Sequence, residues 1–490
     1  MANHGQPSEP TPKPHCLAVP FPTQGHINPI LEFSKRLIPK GIRVTLLLTP
    51  FISKSISARD RTRISALEIG LETISDGHDE EGCPTGVGAQ RFDAYVCTFR
   101  EVGSKSLARL VQRMTDSGDS VHCIIYDSII PWCLDVAKEF GILAADFFTQ
   151  SCAVDAIYYG VREGKVPVGE TTGYNFGVIP GLPALERRDL PTLLHDRGPD
   201  PDPFGLILGQ FSNAEQADWV LCNSVREVEQ EELSWLSNFL PFMTVGPTIP
   251  LPYLNNQHDD EDDTDLHGLS IFKPFNESTC ANWLQTKPKR SVVYVSFGSI
   301  AGLAADQMEE LFWGLRNSNH YFLWVVRQSE ESKLPKESQL SAAAAAERGL
   351  IVRWCSQLEV LASEAVGCFV THCGWNSTLE GLSLGVPMVA VPQWSDQPTN
   401  AKYVKDVWRV GVRVVEGGGG ESGAVVGREE IERCLREVME GESGEEIRRN
   451  SEKWKNVIRE AAGEGGSSGS NIGDFAASLI SKSRLLGLGL

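Results

Sequence analysis

Two side chains in the first third of the chain, His26 and Asp127, could act together on a proton, and Thr149 falls at a similar strand end. An imidazole held at one ring nitrogen by a carboxylate has its tautomer fixed and can take a proton at the other. A second group lies in HCGWNSTLE and PQWSDQ, which carry His372, Asn376, Ser377, Trp394, Asp396 and Gln397. Amide, hydroxyl and imidazole groups around the start of a helix suit an anion, above all a phosphate. Taken singly, each has a plainer reading. A loop histidine bonds locally, a strand-end aspartate caps a helix, and a first-turn serine caps its own. Only a shared position raises them to a site, so the elements that carry them matter next.

Those elements alternate strand and helix. HCLAVPF reads as a buried strand and FPTQGHIN as a loop holding Gln24, Gly25 and His26 just ahead of a helix. PILEFSKRLIPKG then reads as that amphipathic helix, with Pro29 in its first turn. RVTLLLT, VHCIIYDS and AADFFTQSC are further strands, the last two ending near Asp127 and Thr149. Such a start predicts a parallel, doubly wound sheet, with His26, Asp127 and Thr149 emerging at one edge. No GxGxxG follows the first strand, so ordinary dinucleotide binding is not signalled. Later, GCFVTHCG and VPMVAVPQ read as buried parallel strands around a helix, NSTLEGLSLG, whose first turn carries Asn376 and Ser377. Ligands of open α/β sheets bind beyond the carboxyl ends of strands, where these polar residues fall. SVVYVSFGS, HYFLWVV and GLIVRWC repeat the strand grammar, the last ending on Trp354.

At 490 residues the chain is too long for one ordinary core, and two domains of roughly 200–250 residues are the natural division. We place a disordered polar leader at 1–14, an N-terminal α/β domain at 15–246 and a linker at 247–276. A second α/β domain follows at 277–465, and a helix at 466–490 is expected to pack back on the first domain. The DDEDD run reads as a solvated loop rather than a metal site, because hard cations need carboxylates on ordered backbone. The Ala-rich ESQLSAAAAAERG reads as a surface helix or loop, and EGGGGESG as flexible chain without the ending of a phosphate loop. A formal charge of −19 disfavours nucleic acid and anionic membranes as partners. No apolar run approaches the ~20 residues of a membrane span. The twelve cysteines are scattered through apolar segments without a CxxC pair, which reads as reduced core thiols in a cytoplasmic protein.

With two α/β halves and the stretch Trp354–Gln397, the sequence resembles the plant family 1 UDP-glycosyltransferases. The stretch is similar to their signature box, and HCGWNSTLE, GVPM and PQWSDQ match at consistent spacing. FPTQGHINP, YDSIIPW, NSV, VGP and SFGS extend the likeness over nearly the whole chain. CSQLEVLA and PTNAKYV look most like the subgroup making glucose esters or glucosylating phenols and terpenoids. The resemblance implies two Rossmann-like domains facing each other across a cleft, the GT-B fold. It implies that Trp354 stacks on uracil with the Cys355 backbone at the base edge, and that Gln357 and Glu380 bind the ribose. His372, Asn376, Ser377 and Ser299 would contact the diphosphate. Trp375, Asp396 and Gln397 would bind glucose hydroxyls, with Thr149 approaching the donor from the other domain. His26 would be the catalytic base and Asp127 its partner. A terminal Gln in the box favours glucose as the sugar. Ser356 stands where many relatives have Pro, which leaves the loop after Trp354 less restrained, and Pro398 follows the box.

The implied reaction is an inverting transfer of glucose from UDP-glucose to a small lipophilic acceptor, by a monomer needing no metal or other cofactor. Phenols, terpenoids, steroids and carboxylic acids all fit as acceptors. The rival readings are a catalytically weak UDP-sugar-binding protein and a hydrolase or epimerase on the same scaffold. The presence of His26, Asp127 and Gln397 together argues against the first.

Overall fold

The computed structural model describes residues 13–84, 89–166, 176–194, 203–255, 277–336, 348–415 and 425–487. The leader up to residue 12, most of the acidic segment, the Ala-rich run and the Gly-rich run lie outside them. The strands of the first sheet are β1 (His15–Val19), β2 (Arg43–Leu48), β3 (Gly70–Thr73), β4 (Cys123–Asp127), β5 (Leu143–Phe148), β6 (Trp219–Cys222) and β7 (Phe242–Thr244). They pair in parallel in the order β3-β2-β1-β4-β5-β6-β7. A second sheet holds β8 (Val292–Ser296), β9 (Tyr321–Val325), β10 (Gly349–Val352), β11 (Val366–Thr371), β12 (Met388–Ala390) and β13 (Gly411–Arg413). Its order, β10-β9-β8-β11-β12-β13, is again parallel.

Helices cover both faces of each sheet, which is why the strands are apolar on both sides and β1, β4 and β8 are buried at every residue. In each sheet the chain starts near the middle, runs to one side and returns to lay strands on the other. The order therefore reverses between β1 and β4, and again between β8 and β11. Helices leaving adjacent strands there diverge and open a crevice at the carboxyl edge. Two such crevices facing each other make the cleft of the GT-B arrangement.

Two local readings are corrected. The first helix runs Gln24–Leu37, so His26 stands in its first turn rather than in a loop ahead of it. Pro29 is inside the helix, not at its start. The Thr23 carbonyl already accepts the His26 and Ile27 amides at 3.0 and 2.9 Å, which closes the helical turn upstream of the proline. At the other end of the chain the last helix spans Ser467–Gly487, within the expected 466–490, whose final three residues lie outside the described residues. The longest helix described, Ala89–Asp116, was not singled out from sequence.

The last helix lies on the first domain, not the second. Ile472, Phe475, Ala476 and Leu479 are buried in the core formed by β1, β2, β4, β5 and the Gln24–Leu37 helix. The Phe475 ring sits 5.7 Å from Phe33 and 5.0 Å, edge-on, from Trp219, and Asn471 Nδ2 donates to the Thr244 carbonyl at 2.8 Å. Since Phe475 is fully buried, Phe475→Ala should destabilise the first domain by about 3–5 kcal/mol. Urea unfolding followed through Trp219 fluorescence checks this. An unchanged midpoint would mean that the helix merely rests on the surface.

Candidate functional site

The first half of the site is built at the β1/β4 reversal. The helix after β1 carries His26, β4 ends on Asp127 and β5 is followed by Thr149. His26 Nδ1 lies 2.6 Å from Asp127 Oδ2 and 3.2 Å from Thr149 Oγ1. The other carboxylate oxygen, Oδ1, accepts the Ile129 amide at 3.1 Å. Asp127 is therefore fixed from both sides and wholly buried, while the His26 side chain keeps 20% exposure. With Nδ1–H donating to the carboxylate, Nε2 carries the lone pair that can take a proton. Phe21 packs edge-on against the imidazole at 5.6 Å and backs it with an apolar wall.

The second half is built at the β8/β11 reversal. Ser299 follows β8, and His372 follows β11 directly. The His372 ring is held between two glycines. A Cβ on Gly298, which has φ +71°, would stand 2.9 Å from it, and a Cβ on Gly374 2.6 Å. Burial pushes its pKa down to about 4, with Arg327 adding to the effect, so the ring is neutral. The Ser296 backbone, hydrogen-bonded to the ring, opposes that shift. Asn376 and Ser377 occupy the first turn of the helix Trp375–Leu384, and Glu380 stands one turn beyond Ser377 on the same face. Gln357, at the start of the helix after Trp354, donates through Nε2 to Ser377 Oγ at 2.9 Å and Glu380 Oε2 at 2.6 Å. Burial pushes the Glu380 carboxyl up to about 7, against the lowering effect of that Gln357 bond. Trp354 is half-buried in the loop between β10 and that helix, and Cys355 is buried behind it with Sγ 3.7 Å from the Tyr294 hydroxyl.

Beyond β12 the chain turns through Ser395, at φ +59°, to Asp396 and Gln397. Gln397 Oε1 accepts the amides of Gln393 and Trp394 at 2.8 and 3.1 Å, which orients the side chain and leaves its NH₂ group as donor. The Asp396 carboxyl is pushed up to about 6 by burial, countered by its bonds to Asn400 and the Trp375 backbone. The Asn376 Nδ2 bond to the Gly25 carbonyl, at 2.7 Å, brings the two halves together. Asn400 Nδ2 donates to Asp396 Oδ2 at 2.7 Å, and its Oδ1 accepts Ser151 from the first domain at 3.2 Å.

One residue of the box stands apart. The Trp375 indole is buried, and its N–H donates to the Asn223 carbonyl of the first domain at 2.7 Å. The backbone of Trp375, not its ring, faces Asp396. Sequence reasoning assigned no role to Asn223, although NSV was among the matched motifs. It also missed Arg327, which follows β9 and donates to the carbonyls of Ser299 and Ala301, the latter at 2.5 Å. A charged residue at the carboxyl end of the apolar strand HYFLWVV was the available signal. Asp189 was invisible. It takes Arg413 at 2.7 Å and Lys402 at 3.6 Å across the domains, from an irregular segment without pattern.

A half-site for an anion faces a histidine–carboxylate pair across a cleft. Comparison with known proteins gives this arrangement its family. A family model described as "UDP-glucoronosyl and UDP-glucosyl transferase" matches residues 243–450. UDP-glycosyltransferase 74F2 of Arabidopsis thaliana is 46% identical over 472 residues, 96% of this chain and 99% of that protein. Flavonol 7-O-beta-glucosyltransferase UGT74F1 of the same plant is 44% identical, over 95% of this chain and 98% of its own. The crystal structure of Os79 from O. sativa in complex with UDP superposes with a TM-score of 0.84 at 36% identity, covering 95% of this chain and all of that one. The chain thus belongs to the UDP-glycosyltransferases of plants and is a glycosyltransferase.

Proposed function

We propose that His26 is the base, Asp127 its orienting partner, and the stretch Trp354–Gln397 the donor site of an inverting glucosyl transfer from UDP-glucose. The observation that carries this reading is the 2.6 Å contact of His26 Nδ1 with a wholly buried Asp127, opposite Asp396 of the other domain. The acceptor hydroxyl gives its proton to Nε2 as its oxygen attacks the anomeric carbon from the face opposite UDP. The bond to UDP breaks through an oxocarbenium-like transition state and leaves a β-glucoside. Trp354 offers its half-buried face to uracil, and the Cys355 backbone meets the base edge. Gln357 and Glu380 hold the ribose. Ser299, His372, Asn376 and Ser377, at the amino end of their helix, meet the charge that builds on the departing diphosphate. That charge is met by helix and side chains, so the reaction as written needs no metal. The Trp375 backbone, Asp396 and Gln397 take the glucose hydroxyls, with Thr149 closing the site from the acceptor side.

The acceptor is a small lipophilic metabolite, a class that includes the flavonol named for one relative. No helix of the described residues is long and apolar enough to cross a membrane. All twelve cysteines are free, which supports a reducing, cytoplasmic setting, and we take the enzyme to act as a monomer. Mass spectrometry of products from UDP-glucose and a panel of phenols, carboxylic acids, terpenoids and steroids tests the transfer. UDP released without any acceptor present would turn the reading to hydrolysis.

Two variants test the assigned roles. His26→Ala should lower kcat on an alcohol acceptor by on the order of 10²-fold or more. A carboxylic acid acceptor, already ionised near neutral pH, should be less affected. Near-normal turnover of an alcohol would end the base assignment. The second variant concerns Glu380, which holds its proton up to about pH 7 in the unliganded protein. Ribose hydroxyls donate to the ionised form, so UDP binding should expel the proton and weaken as pH falls through that value. The slope should approach tenfold per pH unit. Glu380→Gln should bind UDP more weakly above pH 7 and show no such slope, as titration calorimetry can measure. A parent affinity constant across the same range would remove Glu380 from the ribose contact.

A further inference from the structure

Pro29 is buried within the helix that presents His26, five residues beyond its first residue, Gln24. In an α-helix the N–H at position 29 would bond the carbonyl of Gly25, and proline has no N–H. The Gly25 carbonyl instead accepts Asn376 Nδ2 from the opposite domain at 2.7 Å. The contact falls one residue before His26 and comes from the first turn of the helix whose amino end faces the donor site. The rest of the Asn376 amide is held as well. Its Oδ1 accepts Asn223 Nδ2 at 3.4 Å, while Asn223 Oδ1 accepts the Thr248 amide at 2.9 Å. A carbonyl can only accept, so this chain of bonds points the Asn376 NH₂ group at Gly25 and no other way round.

We propose that Pro29 is a positioning residue for the transfer. By withholding a helical N–H it leaves the Gly25 carbonyl to Asn376, and this bond sets the height of the His26 helix against the donor helix. Base and anomeric carbon belong to different domains, so nothing within either domain fixes the distance between them. Many bonds join the domains, and the one between Asn376 and Gly25 lies next to the reacting atoms, where it trims that distance. The proposal rests on His26 being the base, and its test separates the two.

A residue at position 29 that carries an N–H recaptures the Gly25 carbonyl for the helix and competes with Asn376. Proline inside a helix is ordinarily destabilising, so Pro29→Ala removes a helical defect while it weakens the link between domains. The expected result is a kcat lowered about tenfold, the worth of one hydrogen bond. KM for UDP-glucose should stay within about twofold, because donor binding is not what the bond serves. Pro29→Val, which restores the N–H and keeps the bulk, should behave alike and stands in should the alanine variant fold poorly. In an Asn376→Ala background, Pro29→Ala should cost nothing further, since the partner is gone. Full kcat in both Pro29 variants, or the same loss with and without Asn376, overturns the proposal. Should His26→Ala be inactive while Pro29→Ala keeps full kcat, the base assignment stands and the positioning role falls. Should His26→Ala itself turn over alcohols normally, the base assignment falls first.

Discussion

Buried polar groups of the two domains satisfy one another, and the site depends on this seam. The Trp375 indole N–H, the Asn376 and Asn400 amides and the Ser151 hydroxyl are all out of water or nearly so. Each finds its partner on the opposite domain. An unpaired buried donor or acceptor costs about 1–3 kcal/mol, so one relative placement of the domains is favoured over its neighbours. Tyr403 donating to Glu232, Trp408 Nε1 donating to the Val228 carbonyl at 3.2 Å, and Arg413 on Asp189 extend the same logic away from the cleft. Apolar contact between the domains, through Ala153, Val225 and Val228, supplies area. Area alone tolerates sliding, whereas directional bonds to buried atoms do not.

The seam also governs the electrostatics. Burial raises the Glu380, Asp396 and Glu229 carboxyls to about 7, 6 and 7. Carboxyls so placed are poor places to leave a charge and good places to receive hydroxyls, since each new donor lowers the cost of ionisation. Glu229 shows the internal version. It accepts the amides of Cys152 and Ala153 at 3.0 and 2.9 Å, together with the Ser224 hydroxyl, and thereby fixes the start of the helix after Thr149. His372 is the opposite case, a neutral ring pressed between Gly298 and Gly374. There the glycines matter for the room they leave. Arg327 holds the loop after β8 by its carbonyls and lends positive potential to the same edge.

What could be read from sequence follows from how local the physics is. β8, β11 and β12 announce themselves as short apolar runs, and residues just beyond them must lie at the carboxyl edge once the sheet is parallel. His372, Asp396 and Gln397 were therefore legible as residues of that edge, whereas Ser299 entered only through the family resemblance. His26 and Asp127 were legible as a pair for the same reason, although their bond is set by two strands far apart in the chain. The start of the first helix was misjudged because Pro29 is a common first-turn residue, and sequence gives no sign that its missing N–H falls mid-helix. Asn223, Arg327 and Asp189 escaped because their partners come from the other domain or another strand. Their types are ordinary, and only the packing of distant segments makes them matter. Trp375 shows the converse: an indole beside site residues invites a ligand contact, yet its N–H is taken by the Asn223 carbonyl of the other domain.

The first helix joins these threads because its two ends are tied to the second domain and to the segment that leads to it. At its start, Gly25 meets Asn376. Near its end Arg36 is buried and donates to the carbonyls of Pro247 and Ile249 at 2.5 and 2.9 Å, in the segment that leads out of the first domain. Burial lowers the Arg36 pKa to about 10, with Glu32 opposing the change, so the guanidinium stays charged at neutral pH. A buried charge is tolerable only when its donors are met, and the backbone of the exit segment meets them. Any swing of the second domain that shifted this segment would strip the guanidinium of its acceptors. Opening at the cleft would at the same time strip Gly25 of its donor. Both costs fall on the one helix that carries His26, which makes the position of the base and the disposition of the domains a single mechanical variable.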